Sequence, residues 1–215
     1  MALTQFFVKN TLSEATDQNV LVFTVPTLAN SNYTFSAWQN LNISPGGSQP
    51  FDFDIKLAVK AINPTTGSAS PAVEVTNGTV LLAKYDNVKG ISLVESQTDD
   101  DRNRVTAGQV GVINQTDPNN PIMLATEWYI NGNPAVRINN MNYDAVGTFE
   151  LQPSLYFFAA IPTQKGFNYT YQLVSKQTRY DIPTNTKKVD VEWYRQGGSA
   201  GADRFRFDPA SAPRP

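Results

Sequence analysis

The side chains that could do chemistry in this chain are carboxylates, because its 215 residues contain neither His nor Cys. That composition excludes a Ser-His-Asp or Cys-His triad, a zinc site built from His or Cys, and any disulfide. Glycoside hydrolysis needs only two carboxylates and therefore stays open as a third hypothesis. Glu127 and Glu192 are the candidates, since each precedes a Trp-Tyr pair. Strand alternation places each Glu on the opposite face from the Trp that follows it, so the sequence favours a polar outer face over a hydrolase site.

An acidic stretch offers a candidate metal site, because oxygen atoms at Asp99, Asp101 and Asn103 have the spacing with which a calcium loop begins. The later positions of the segment do not match the calcium-loop pattern. Arg104 stands where the loop needs Gly, and Val110 stands where it needs a bidentate Glu. The sequence favours a solvated turn here, and we predict no cofactor.

Three clusters that contain Trp could bind a carbohydrate, because aromatic rings stack on sugars while planar polar groups bind the hydroxyls. The candidate ligand-binding residues are Trp38, Asn40, Trp128, Tyr129, Asn131, Trp193, Tyr194 and Arg195. The competing interpretation is that these rings pack in the core, and the sequence favours it because a domain of this size needs large buried side chains. A carbohydrate-binding module or lectin is therefore the second hypothesis for function, with a glycan as its partner.

The elements that must position these residues are β-strands. Apolar residues alternate with mostly polar ones from residue 51 to 60, which predicts one strand with a single buried face. The same alternation recurs at residues 169–173, 189–193 and 205–207, whereas residues 20–25 are mostly apolar and predict a strand covered on both faces. Asn77-Gly78 predicts a hairpin between residues 71–75 and 79–85.

About a dozen such strands, with almost no helical pattern between them, predict an all-β fold. We expect a single-domain antiparallel β-sandwich of the jelly-roll or immunoglobulin-like type over residues 1–208. The Pro-rich residues 209–215 are expected to follow it as a tail.

Three segments, at residues 6–10, at 36–39 with 53–55, and at 147–157, carry a resemblance. Together they resemble a loosely defined group of small, uncharacterised bacterial and fungal all-β proteins. In that group a similar strand opens the chain, and a strand containing Pro-x-x-Tyr comes late. The resemblance implies an all-β fold and a non-enzymatic role, and it assigns no activity to any residue.

The net charge and hydropathy of the chain limit the classes of partner and the location that we expect. The net charge is −2, and no basic cluster exceeds the pair Lys187-Lys188, so we predict no nucleic-acid partner. No apolar run approaches the roughly 18 residues of a membrane span, and the first residues do not resemble a signal peptide. We therefore expect a protein that is cytoplasmic or released without a classical signal.

The leading hypothesis is a non-enzymatic structural or self-assembling protein, a subunit of a filament, shell, inclusion or virion. Such a protein would form homo-oligomers through the edges of its strands. Because the chain has no His, we expect assembly or binding to change little between about pH 6 and 8.

Overall fold

The computed structural model describes residues 3–26, 29–54, 56–150, 154–161, 169–183, 185–197 and 202–209. Strands make up 56% of these residues and helices 4%, which confirms the predicted all-β class. The helices α1 (Asp99–Arg102) and α2 (Tyr171–Val174) are single turns. In the described residues no helix is long and apolar enough to cross a membrane.

Eighteen strands are present in the described residues, more than the sequence predicted. Five of them have only two or three residues, which is too short to leave a visible alternation in a sequence. In chain order, the strands are β1 (Thr4–Asn10), β2 (Asn19–Val25), β3 (Tyr33–Phe35), β4 (Gln39–Leu41), β5 (Ser48–Phe53), β6 (Leu57–Ile62), β7 (Val73–Val75), β8 (Val80–Asp86), β9 (Gly90–Glu95), β10 (Gln109–Asn114), β11 (Leu124–Ile130), β12 (Asn133–Met141), β13 (Val146–Glu150), β14 (Ser154–Ala160), β15 (Tyr169–Thr170), β16 (Thr178–Tyr180), β17 (Lys188–Gln196) and β18 (Ala202–Pro209).

The strands form four sheets. Sheet A has the order β18-β17-β1-β5, and sheet B has the order β16-β14-β2-β4. Sheet C is the largest, with the order β15-β3-β12-β11-β6-β7, and sheet D has the order β13-β10-β8-β9. Most neighbouring strands are antiparallel, but β1 pairs parallel with β17 and β8 pairs parallel with β10. The sheets are therefore rich in antiparallel pairings, as expected, and the two parallel pairings are a feature that the sequence did not predict.

Three predicted local features differ in the structure. The strand expected over residues 169–173 ends at Thr170, where the helical turn α2 (Tyr171–Val174) begins. The strand expected over residues 51–60 is two strands in different sheets, since β5 pairs with β1 and β6 pairs with β11. The hairpin expected at Asn77-Gly78 is a turn between two sheets, because β7 pairs with β6 while β8 pairs with β9 and β10. Gly78 does adopt a positive φ of 78°, so the turn signal is correct and the assigned strand pairing is wrong.

The buried faces follow the alternation. Residues 20–25 of β2 are all buried, as predicted for a strand covered on both faces. Strand β18 extends through Pro209, which lies opposite Val189, and residues 210–215 of the predicted tail lie outside the described residues.

One hydrophobic cluster contains residues of all four sheets. Phe6 of sheet A contacts Phe157 of sheet B, with ring centroids 6.2 Å apart. Trp128 of sheet C stacks on Phe149 of sheet D at 5.5 Å. These ring contacts join the sheets through their apolar faces.

Candidate functional site

The three Trp rings of the predicted carbohydrate clusters lie in the core. Trp38 is 3% exposed, and Trp128 and Trp193 are both 0% exposed. The Trp38 Nε1 donates a hydrogen bond to the carbonyl oxygen of Ile130 at 3.2 Å, and the Trp128 Nε1 donates one to Thr126 Oγ1 at 3.0 Å. Sugar stacking needs an accessible ring face, so these indoles do not form the exposed platform that the hypothesis required.

The neighbours of the Trp residues have separate roles. Exposed Asn40 accepts a hydrogen bond from the amide of Asn19, at 2.6 Å. Asn131 forms the turn between β11 and β12 with φ of 51°, and its Oδ1 accepts the Lys56 N–H at 3.0 Å. The Arg195 guanidinium pairs with Asp203 at 3.0 Å.

The predicted clusters are therefore split by strand alternation. Tyr129 and Tyr194 are half-buried and lie on the opposite strand face from the adjacent Trp. Because these two tyrosines belong to different sheets, the candidate residues do not converge on one site.

Glu127 lies at the centre of a charged cluster across three strands of sheet C. Its carboxylate pairs with Lys60 of β6 at 2.8 Å and with Arg137 of β12 at 3.3 Å. The Tyr129 hydroxyl donates to the same carboxylate at 2.8 Å. A carboxylate with three donors is occupied as an acceptor, which makes it a poor general base.

The pKa values of Lys60 and Tyr129 in this cluster are both raised. Burial acts to lower the pKa of Lys60, but hydrogen bonds and the charge of Glu127 outweigh it and raise that pKa. Burial raises the pKa of Tyr129 and keeps the phenol neutral. Glu127 lies on sheet C and Glu192 on sheet A, so the structure does not bring the predicted carboxylate pair together.

The acidic stretch forms the single helical turn α1, whose N-cap residue is Thr98. The Asp101 carboxylate accepts hydrogen bonds from Ser96 Oγ at 2.6 Å and Thr98 Oγ1 at 2.9 Å, which lower its pKa. Asp99 faces Arg102 at 3.8 Å, and Asn103 is the C-cap residue of α1. No group of three or more metal-ligating side chains occurs among the residues that the structure describes.

The segment after α1 covers the outer face of sheet D. Val105 packs over Gly111 of β10 so closely that a methyl group on Gly111 would overlap with Val105 Cγ2. Arg104 then pairs with Asp144 at 2.7 Å and holds the segment across the sheet. The segment that follows the acidic stretch thus has a structural role, through Arg104 and Val105, that its composition alone did not indicate.

The outer face of sheet A carries a cluster of accessible polar and aromatic groups. Strand alternation directs apolar residues of β1, β17 and β18 into the core and leaves their polar neighbours outside. This face lines an open groove of about 680 Å³. The groove residues that could contact a ligand are Phe7, Lys9, Asp190, Glu192, Arg206 and Asp208.

The groove residues form two rows across the sheet. Phe7, Asp190 and Asp208 are cross-strand neighbours in one row, and Lys9, Glu192 and Arg206 are neighbours in the next. The charged groups partly neutralise one another within the face.

Two aromatic rings on this face lie beside cations. Lys188 Nζ lies 4.7 Å from the Phe7 ring centroid. The Arg206 guanidinium pairs with Glu192 and lies 5.8 Å from the ring centroid of Tyr194. Of these residues, the sequence interpretation selected Tyr194 for ligand binding and missed Phe7 and Arg206, because their separation in the sequence hides their adjacency on β1 and β18.

The free edge of sheet A adds a second feature to the same region. Strand β18 pairs with β17 over eight residues, and among the strands that the structure describes it has no second neighbour. Arg204, Arg206 and Asp208 are exposed along this edge. An edge strand presents backbone donors and acceptors that another strand can use.

Comparison with known proteins gave no match to any protein-family model, any curated protein or any solved structure.

Proposed function

We propose that this protein is a non-enzymatic structural protein that self-assembles into homo-oligomers, as a subunit of a filament, shell, inclusion or virion. The observation that carries the proposal is the edge of sheet A, where β18 is the last strand in the sheet order of the described residues. Addition of a strand at such an edge supplies main-chain hydrogen bonds, while the side chains select the partner.

The charges along this edge support selective pairing. Exposed charges on an edge strand discourage indiscriminate aggregation, because most incoming strands would place like charges opposite one another. Arg204, Arg206 and Asp208 give β18 both signs of charge. A partner with the complementary pattern is therefore accepted, whereas an apolar or uniformly charged strand is disfavoured.

The state of the carboxylates supports a non-enzymatic role. Glu127 is held between two cations, and Asp101 is held by two hydroxyl groups. In the groove, Glu192 pairs with Arg206 and Asp190 pairs with Lys188. A general acid or base must be free to form a hydrogen bond with the substrate, and these pairings occupy the carboxylate oxygens instead.

The subunit proposed here is one β-sandwich domain spanning the four sheets. The continuous hydrophobic cluster supports this assignment, because separate domains would have separate cores. Thermal unfolding followed by near-UV and far-UV circular dichroism would then give one shared transition. Two resolved transitions would contradict a single domain.

Multi-angle light scattering over a concentration series, with negative-stain electron microscopy, tests self-assembly. We expect a mass above the 23.7 kDa of one chain that rises with concentration. A monomer at every concentration, with no ordered particles on the grid, would contradict the proposal. Added salt should weaken the assembly, because exposed ion pairs are screened.

The groove on sheet A favours glycan binding as a second candidate function. The half-buried Phe7 lines the groove together with Lys9, two residues further along β1, and its cross-strand neighbour Asp190, which combines apolar surface with hydrogen-bonding groups. A glycan array would identify the ligand, and calorimetry would measure its affinity. We expect Phe7→Ala to lower affinity about tenfold, and the control Tyr85→Ala, on sheet D, to leave it unchanged. An array without hits, or equal affinities for the two variants, would contradict this candidate.

A further inference from the structure

In the part of the chain that the structure describes, strand β18 has a partner strand on one side only. Its ladder with β17 runs from Ala202 to Pro209. Among the described residues, no element other than β17 makes a backbone hydrogen bond to it. Within the described residues, the backbone groups that point away from β17 therefore have no partner strand, and a further strand could pair with them.

The charges of β18 are arranged so that the strand complements itself. Arg206 is engaged with Glu192 of its own sheet. Arg204 and Asp208 lie two residues on either side of Arg206, on the same face, and neither forms an ion pair within the described part of the chain. Two antiparallel copies related by a two-fold axis at Arg206 would place each Arg204 opposite Asp208 of the second copy.

The inner face of the strand agrees with this register. Phe205 is buried and Phe207 is half-buried, and both lie beside the ring of Phe157. The same two-fold axis places Phe205 opposite Phe207 of the second copy, where aromatic cross-strand pairs are favourable. The axis at Arg206 places the two Arg206 side chains opposite each other once, and each of them is already paired with Glu192 of its own sheet. An axis at Phe205 would instead place Arg204 opposite Arg206 twice, and opposed like charges are unfavourable.

We propose that two copies pair antiparallel through β18 about a two-fold axis at Arg206 and join their A sheets into one continuous sheet of eight strands. This inference rests on the proposed self-assembly and names the surface and register through which it occurs. The occupant of the edge is a second copy of this chain, because the charge pattern of β18 fits its own reverse. The interface is isologous, since the same strand contributes both sides.

Single-cysteine variants test the register, and the absence of native Cys gives them a clean background. Opposed residues in an antiparallel pair have Cα atoms about 4.5–5.5 Å apart, which permits a disulfide. Arg206→Cys should therefore form a covalent dimer under mild oxidation. Arg204→Cys alone should not, because its copies would be offset by four residues, or about 13 Å. A mixture of Arg204→Cys and Asp208→Cys should form the mixed dimer.

Charge exchange tests the same contacts without cross-linking. Arg204→Asp alone and Asp208→Arg alone should each weaken association about tenfold or more, because each places like charges opposite one another twice. The double variant Arg204→Asp/Asp208→Arg should restore association by exchanging the two signs. Lys89→Asp, in the exposed turn between β8 and β9, is the matched control and should leave association unchanged.

The outcomes separate this inference from the proposed function. If light scattering shows no assembly, both fail. If the protein assembles but Arg206→Cys cross-links no better than a Lys89→Cys control, the β18 interface is wrong while self-assembly stands. Efficient cross-linking of Phe207→Cys in place of Arg206→Cys would overturn the register. Preferential cross-linking of Arg206→Cys, together with recovery in the double variant, would support the inference.

Discussion

Substitution by valine should change the free energy of unfolding in opposite directions at two buried threonines. Thr24 of β2 and Thr126 of β11 are both 0% exposed. Thr24 Oγ1 has no hydrogen-bond partner within the described residues, whereas Thr126 Oγ1 accepts the indole N–H of Trp128 at 3.0 Å. Valine has nearly the same shape as threonine, so each substitution isolates the effect of one hydroxyl group.

The structure sets the sign and size of each effect. Thr24→Val removes a buried hydroxyl that gains nothing from burial, and the free energy of unfolding should rise by about 1–2 kcal/mol. Thr126→Val leaves the Trp128 N–H buried and unpaired, and the free energy of unfolding should fall by about 1–3 kcal/mol. For a chain of this length, 1 kcal/mol corresponds to about 2–4 °C in Tm.

Urea denaturation and thermal unfolding of the two variants beside the wild type provide the measurement. The prediction is a higher midpoint for Thr24→Val and a lower one for Thr126→Val, with unchanged m-values. A lower midpoint for Thr24→Val, or a shift of the same sign in both variants, would refute the hydrogen-bond assignments in the core.

Three further predictions concern pH, the cover of sheet D and the charged cluster of sheet C. Chemical denaturation across pH should give stability that is flat from about pH 6 to 8. Stability should fall as the pH drops below the ordinary Asp value of 3.8, because hydrogen bonds from two hydroxyl groups lower the folded-state pKa of Asp101 and favour its ionised form. It should also fall above pH 10.0, because burial raises the folded-state pKa of Tyr129 and the unfolded chain loses that proton first. In thermal unfolding, Gly111→Ala should lower Tm through its overlap with Val105, and addition of Val105→Ala should recover part of the loss. If the double variant has the same Tm as Gly111→Ala alone, that contact is contradicted. Glu127→Gln should lower the free energy of unfolding by about 1–3 kcal/mol in urea titrations, since two cations lose their charged partner, and an unchanged midpoint would count against the cluster.

Period-two alternation predicted the buried residues correctly around β5 and β6, but it failed at residues 171–173, which form a helical turn with Leu173 exposed. Phe51, Phe53, Leu57 and Val59 are all buried, as their spacing indicated. Alternation does not specify which strand pairs with which, so the change of sheet between β5 and β6 left no signal in the sequence. The turn at Gly78 shows the same limit, because turn chemistry fixes a local backbone angle without fixing the strands that flank it.

The candidate sites show why residue types alone were insufficient. Each Trp-Tyr pair suggested one aromatic cluster, but neighbouring residues in a strand point to opposite faces. Trp193 is therefore buried while Tyr194 reaches the groove side of sheet A. The groove depends on the parallel pairing of β1 with β17, two strands that are separated by most of the sequence. Local sequence patterns contain no information on such a pairing.

Hydrogen exchange of β18 at low and high protein concentration tests the central claim most directly. If copies pair through this strand, the amides that point away from β17 exchange freely in dilute protein and become protected as concentration rises. The turn around Lys89 should exchange at the same rate throughout and serves as an internal reference. Exchange in β18 that does not depend on concentration, in a sample that light scattering shows to be assembled, would contradict assembly through this edge.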